Sequence, residues 1–322
     1  MQENSQLSTI VEKKLTFSCR NGGKVANVKV CFYDIEEVTE VIKIISDSTC
    51  DLSRELVERY DVEVIPLHIL LGESDFEDGR DITPDDIYRW ADENKAVPKT
   101  SACNQEYVKK VFKSYLEKGM EIVCFSISSQ MSSTYNVMNL VAQQLNAEDR
   151  ISVVDSANLS SGVGLLVVEA AEMAKQGMSR KEIVARIEEL KPLVRASFVV
   201  DTLTYLHRGG RCSGVAAMLG STLKLHPQIS VTDGKMHPGK KFRGKMARVI
   251  ASYVEEQREE MLKARKNRVF LTHSGCEPQV IDAVYAQLKE LNHFDEILIC
   301  RAGGVISSHC GPGTLGVLYI AG

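Results

Sequence analysis

The sequence predicts an α/β protein in two parts: an N-terminal three-layer α/β/α domain with a parallel sheet over residues 41–194, and a C-terminal two-layer α/β domain with a mixed sheet over 195–322. Three observations carry this expectation. Short apolar runs alternate with amphipathic helices from Val41 onward, a rhythm that implies right-handed crossovers and a parallel sheet covered on both faces. Asp233-Gly234 sits between alternating apolar and polar residues, a type I′ hairpin signal that brings antiparallel pairing into the second half. A chain of 322 residues, 44% hydrophobic and 25% charged, is long enough and apolar enough for two soluble cores.

Residues 1–40 differ in texture from the rest and stand as an N-terminal extension, broken by Gly22-Gly23, with one strand expected near Val25 to Phe32. Val41 to Ile45 is a run of strand length, followed by the polar segment Ser46 to Asp51 and a helix from Ser53 to Tyr60. Val62 to Leu71 supplies one or two strands interrupted by Pro66, which favours an edge or a bend. Thr83-Pro84-Asp85-Asp86 opens a helix with a cap, a first-turn proline and two carboxylates at the positive end of the dipole. A loop from Pro98 to Asn104 precedes a helix marked by Val108, Val111, Phe112, Tyr115 and Leu116 and stopped at Gly119. The strand Glu121 to Ser126 leads through a hydroxyl-rich loop into a helix carrying Tyr135, Met138, Val141 and Leu145. Ile151 to Asp155 repeats the pattern, followed by an apolar helix from Val163 to about Gln176 and a helix opened by the capping box Ser179 and Glu182. In the second part the expectation is a strand at Ala196 to Val200, a short helix before Leu206, a glycine break at His207 to Arg211, and a helix from Val215 to Leu225. The hairpin at Asp233-Gly234 follows, then one long helix from about Arg243 to Lys263. Strands at Arg268 to Thr272, Glu296 to Arg301 and Leu315 to Ala321, with a helix at Pro278 to Leu291, complete the order.

Composition narrows the function classes. A net charge of −4 argues against a nucleic-acid binder, whose footprint is normally basic. No run approaches the ~18 apolar residues of a membrane span, and no basic-then-apolar leader opens the chain, which points to the cytoplasm. Nine cysteines without any C-x-x-C read as reduced, buried thiols rather than a disulfide framework or a metal site. Neither G-x-x-x-x-G-K-[ST] nor G-x-G-x-x-G is present, so the usual nucleotide cradles are missing and no cofactor is expected. The histidines include no H-x-x-x-H and no H-E-x-x-H, and G-x-S-x-G is absent.

What stands out is Cys124 to Tyr135, where Ser126, Ser128, Ser129, Ser132, Ser133 and Thr134 fill one strand-to-helix loop. In an α/β sheet this loop lies at the carboxyl ends of the strands, where helix N–H groups face outward and ligands collect. One or two of these hydroxyls serve as caps; six exceed what a cap needs. Other polar segments are Ser46 to Asp51, Lys99 to Asn104, His207 to Arg211 and Ser307 to Gly313, and their convergence would enclose a cleft between the domains. A site rich in neutral donors, with one histidine at the His309 turn, suits a single anionic head group such as a carboxylate.

The segments Ile45 to Leu52, Lys99-Thr-Ser101, Ser128 to Tyr135, Leu206 to Arg211, Asp233-Gly-Lys235 and His309-Cys-Gly-Pro-Gly313, in that order, resemble the bacterial DegV family from about Val41 to the C-terminus. The resemblance implies a DegV-like fold that binds one long-chain fatty acid between its domains. It further implies a role like the fatty-acid-binding subunit of bacterial fatty acid kinase in phospholipid metabolism. Such a subunit is not itself an enzyme: it presents the carboxylate to an ATP-dependent kinase subunit that forms the acyl phosphate, with peripheral membrane contact for lipid exchange. The family's carboxylate ligands carry over to Thr100 and Ser132, its histidine to His309, and its R-G-G-R segment, near the head group or the kinase-facing surface, to Arg208 and Arg211. Ser133 stands where the family usually has glycine, so it is either a distortion of the pocket or an added ligand. For the tail, Phe198, Met218, Leu219 and Leu223 are candidates, each also readable as ordinary core. Two other classes stand beside this one: a self-contained acyl transferase or hydrolase using His309 as base, and a regulatory lipid-binding protein without a kinase partner.

Overall fold

The structure, a computed structural model, describes residues 13–21, 24–32, 41–210 and 225–322. They belong to two compact units, Met1–Thr39 and Glu40–Gly322. The first holds an antiparallel pair, Lys13–Asn21 with Lys24–Phe32. One strand was expected there. Its partner carries Leu15, Phe17 and Cys19 at alternate positions, the period-two signal of a strand.

The N-terminal α/β/α domain of the second unit is built on four parallel strands in the spatial order Glu63–Ile65, Ile42–Asp47, Glu121–Ser126, Ile151–Asp155. Glu121–Ser126 is buried at every position, as a strand covered on both faces must be. Its side chains divide by the pleat: Val123 and Phe125 pack with Ser161–Lys175 and Arg180–Leu190, while Ile122 and Cys124 pack with Gln105–Leu116 and Thr134–Gln144. Pro66 splits the next apolar run between two sheets. Glu63–Ile65 joins the parallel sheet, and His68–Leu71 pairs antiparallel with Ser74–Glu77 and Lys99–Ser101. The segment expected as a loop before Asn104 therefore contributes a short strand. Three polar residues carry no periodicity of their own, and the ladder to His68–Leu71 imposes the extended form.

The C-terminal domain is a six-stranded mixed sheet in the order Lys235–Arg243, Leu225–Thr232, Val194–Val199, Leu315–Ala321, Ala264–His273, Glu296–Arg301. Only the last pair is parallel. The hairpin turn has φ of 50° at Asp233 and 73° at Gly234, the left-handed pair a type I′ turn requires. Met246–Glu256 and Pro278–Glu290 cover one face of this sheet. The other face packs on Ser161–Lys175, which has eleven of its fifteen residues buried because it lies between the two sheets.

Two further expectations need correction. The long helix from Arg243 to Lys263 is two helices, Met246–Glu256 and Arg258–Met261, separated where Gln257 takes φ −90° and ψ −3°. The polar segment expected as a loop at Ser307 is instead the helix Gly304–Cys310, ended by Gly311 at φ 76°. Two glycines at its start lower the helix signal, and the carboxylates that hold them come from elsewhere in the chain. The helix expected from Val215 lies outside the described residues up to 224, and Leu225 begins a strand.

Candidate functional site

A cavity of about 290 Å³ is lined by residues of both domains. Its wall divides by chemistry. Thr100, Ser101, Ser132, Ser133 and His309 present hydroxyls and an imidazole, whereas Leu67, Ile127, Leu159, Leu206, Val305 and Ile306 present hydrocarbon. A smaller chamber of about 30 Å³ shares Leu159, Ile306 and Cys310 with the first and is bounded further in by Phe198 and Leu318. Burial pushes the Cys310 thiol up to about 12, so it lines both chambers as a neutral, weakly polar wall.

The polar end is held from several directions. Thr100 lies on the Lys99–Ser101 strand, and its Oγ1 is 2.8 Å from His309 Nε2 on the Gly304–Cys310 helix. The other side of the imidazole meets backbone: a Cβ at Gly209 would overlap His309 Nδ1. The hydroxyl loop is fixed from several directions, the Ser128 N–H donating to the Asn158 carbonyl at 2.8 Å among them. The Ile127 N–H donates to Asp47 Oδ2 at 2.8 Å, the Ser129 N–H to Asp155 Oδ1 at 3.1 Å, and the Ser128 hydroxyl to the Gly234 carbonyl at 2.7 Å. This last bond ties the hairpin tip of the C-terminal sheet to the loop. Ser132 Oγ lies 2.9 Å from Thr134 Oγ1 and accepts the Thr134 N–H at 3.3 Å.

Thr100, Ser132, Ser133 and His309 thus line one cavity, with Thr100 and His309 in direct contact. Ser133 has φ −83° and ψ 1°, a conformation open to any residue, so the position does not need glycine. Its side chain makes no cap bond to the helix that follows, although it occupies the N-cap. Ser126, Ser128 and Thr134 are fully buried and act within the fold. Arg208 is the last residue of the short helix Thr204–Arg208, directly before Gly209. Arg211, Met218, Leu219 and Leu223 lie outside the described residues. Among the described residues, no helix is long and apolar enough to cross a membrane. Nor is any group of three or more His, Cys, Asp or Glu placed to hold a metal ion.

Most of the hydrocarbon wall escaped the sequence reading. Ile127, Leu159, Leu206, Met236, Val305 and Ile306 come from five separate elements or loops, and each fits a core by itself. Met236 had the clearest signal, as an apolar residue two positions past the hairpin glycine.

A parallel-sheet domain and a mixed-sheet domain that jointly line one cavity, hydroxyl-rich at one end and apolar beyond, define a two-domain α/β binding protein. The chain belongs to the DegV family: the family model, described as "Uncharacterised protein, DegV family", matches residues 41–322. A relative from Thermotoga maritima named fatty acid-binding protein is 32% identical over 285 residues, covering 85% of this chain and 96% of its own. A DegV family protein from Thermus thermophilus, whose structure is described as fatty acid binding, has a TM-score of 0.81 at 31% identity, covering 87% of this chain and 99% of that one. A stearic acid-binding protein from Eubacterium ventriosum has a TM-score of 0.74 at 30% identity, covering 87% and 98% respectively.

Proposed function

We propose that this protein binds one long-chain fatty acid in a cleft between residues 41–194 and 195–322, and presents its carboxylate to an ATP-dependent fatty acid kinase subunit. The observation that carries the reading is the division of one cavity into a hydroxyl and imidazole end and an apolar remainder. An amphiphile with a single acidic head matches that division. The carboxylate accepts hydrogen bonds from Thr100, Ser132, Ser133 and His309, each charge-assisted bond contributing about 1.5–3 kcal/mol. The tail follows Leu159 and Ile306 toward the smaller chamber, and each buried methylene contributes about 0.8 kcal/mol. Affinity therefore resides mainly in the tail, and the head group sets orientation.

In the partner reaction a carboxylate oxygen attacks the γ-phosphorus of ATP. The new O–P bond forms as the bond to ADP breaks, giving the acyl phosphate. This chain supplies the oriented nucleophile, and the partner supplies the nucleotide. Arg208 and Arg211 flank Gly209-Gly210 in the sequence, and Gly209 lies against His309, which suits the pair to the head group or to the kinase-facing surface. Brief contact with a membrane surface would load and unload the lipid.

Native mass spectrometry of protein purified gently from cells tests the binding directly. One added fatty-acid mass is expected, and apo protein alone would count against it. For the partner step, Ser132→Ala should slow acyl-phosphate formation with a fatty acid kinase subunit by about threefold to tenfold while changing fatty-acid affinity less. Equal losses in the two assays would reverse that ordering. The hydroxyl–imidazole contact of Thr100 and His309 is also the geometry of a nucleophile and its base. Turnover of an acyl ester by the purified chain, without ATP or partner, would favour that second reading.

A further inference from the structure

Two buried carboxylates from separate loops converge on the helix that carries His309. Asp51 Oδ1 accepts the Gly303 N–H at 2.8 Å. Asp78 Oδ1 accepts the Gly304 N–H at 2.7 Å, and Asp78 Oδ2 accepts the Val305 N–H at 3.3 Å. Each carboxylate is anchored on its far side: Ser160 Oγ donates to Asp51 at 2.5 Å, and Ser48 Oγ donates to Asp78 at 2.8 Å. Ser48 Oγ in turn accepts the N–H of Leu67, a cavity residue, at 3.1 Å.

The glycines make this approach possible. A Cβ at Gly303 would sit 3.2 Å from Asp51 Oδ1, and one at Gly304 would lie 2.9 Å from Asp78 Oδ1 and overlap Ile69 Cδ1. Asp51 is 5% exposed and Asp78 4%, and neither forms an ion pair with a lysine or arginine among the described residues. Burial raises the pKa of both acids, with their mutual repulsion adding to it at Asp51. A cation-free pair of buried acids is an expensive way to hold a helix of seven residues. What the arrangement secures is position: Val305, Ile306 and His309 of that helix all line the cavity.

The geometry points to Asp51 and Asp78 as positioning residues that set the orientation of His309 against Thr100, and through it the seat of the ligand's head group. The ligand half of this inference rests on the fatty-acid reading above; the His309 half does not.

The test uses the full chain with Asp51→Asn, Asp78→Asn and the milder Ser48→Ala, which keeps both acids. In asparagine one oxygen becomes an NH₂ that cannot accept the N–H or O–H it faces. Tyr253→Phe serves as the control, because Tyr253, on the helix Met246–Glu256, is buried against the C-terminal sheet and bonded to Ser197 and the Val317 N–H, away from the cavity. The readouts are the imidazole ¹H–¹⁵N signals of His309, assigned with His309→Phe, the dissociation constant for palmitate, and the melting temperature. The His309 signals are expected to move in both asparagine variants and, less, in Ser48→Ala. The palmitate dissociation constant should rise about threefold to tenfold. Tyr253→Phe should lower the melting temperature and leave His309 where it is. Unchanged His309 signals in folded Asp51→Asn and Asp78→Asn, or in Ser48→Ala if those do not fold, would overturn the assignment. If the wild type takes up no palmitate while the His309 signals still move, the ligand reading fails and the positioning role stands.

Discussion

Replacing His309 with phenylalanine should weaken palmitate binding by about tenfold to a hundredfold while leaving the binding of methyl palmitate nearly unchanged. An aromatic ring, somewhat larger than imidazole, still stands beside Gly209 and the hydrocarbon wall. What goes is the hydrogen-bonding nitrogen Nε2 that faces Thr100 Oγ1 at 2.8 Å. A carboxylate bound at the polar end loses one partner directly, and Thr100 loses the group that orients its hydroxyl. The ester has no charge to satisfy, so its affinity reports the tail alone. Calorimetric or fluorescence titration of both ligands against both proteins gives a double-mutant comparison in which the fold and the tail cancel. Equal losses for acid and ester would place His309 in packing rather than in head-group recognition. A matching loss in Thr100→Val that is not additive with His309→Phe would show that the two act as one unit.

The sequence made the frame of this molecule legible and the cavity only at its polar end. Strands such as Glu121–Ser126 and Leu315–Ala321 are runs of apolar residues with sharp boundaries, and the Asp233-Gly234 turn has one physical solution, so each could be placed from local chemistry. The helix Gly304–Cys310 could not. Its first residues are glycines, and its start is stabilised by Asp51 and Asp78, which lie more than two hundred positions earlier. The short strand Lys99–Ser101 was hidden for the same reason, because its ladder partner decides its form. Hydroxyls clustered in one loop announce a site. Ile127, Leu159 and Ile306 do not, because an apolar side chain at a cavity wall and one in a core obey the same rule until the space between them is seen.

Asp47 should make the folded state more stable in mild acid than at neutral pH, opposite to the usual behaviour of a carboxylate that is paired with a cation. It is completely buried, and that burial pushes its pKa from 3.8 up to about 6. Bonds from the Thr49 hydroxyl at 2.5 Å and from the N–H groups of Ile127 at 2.8 Å and Thr49 at 2.9 Å pull the other way, and the charge of Asp78 adds to the rise. With the folded pKa above the unfolded one, the folded state binds more protons between about pH 4 and 6, so stability falls as pH rises through that window. The full span corresponds to about 3 kcal/mol, and about half of it lies between pH 5 and pH 7. Urea unfolding of the wild type and of Asp47→Asn at the two pH values isolates this contribution, since every other titration is common to both. The stability gap in favour of the wild type should widen by about 1 kcal/mol on going from pH 7 to pH 5. A gap that narrows in acid would mean that the three donors outweigh burial and hold Asp47 ionised. The same carboxylate fixes the Ile127 N–H at the mouth of the hydroxyl loop, so the sign of this slope also tells whether that loop is held by a charge or by a neutral acid at pH 5.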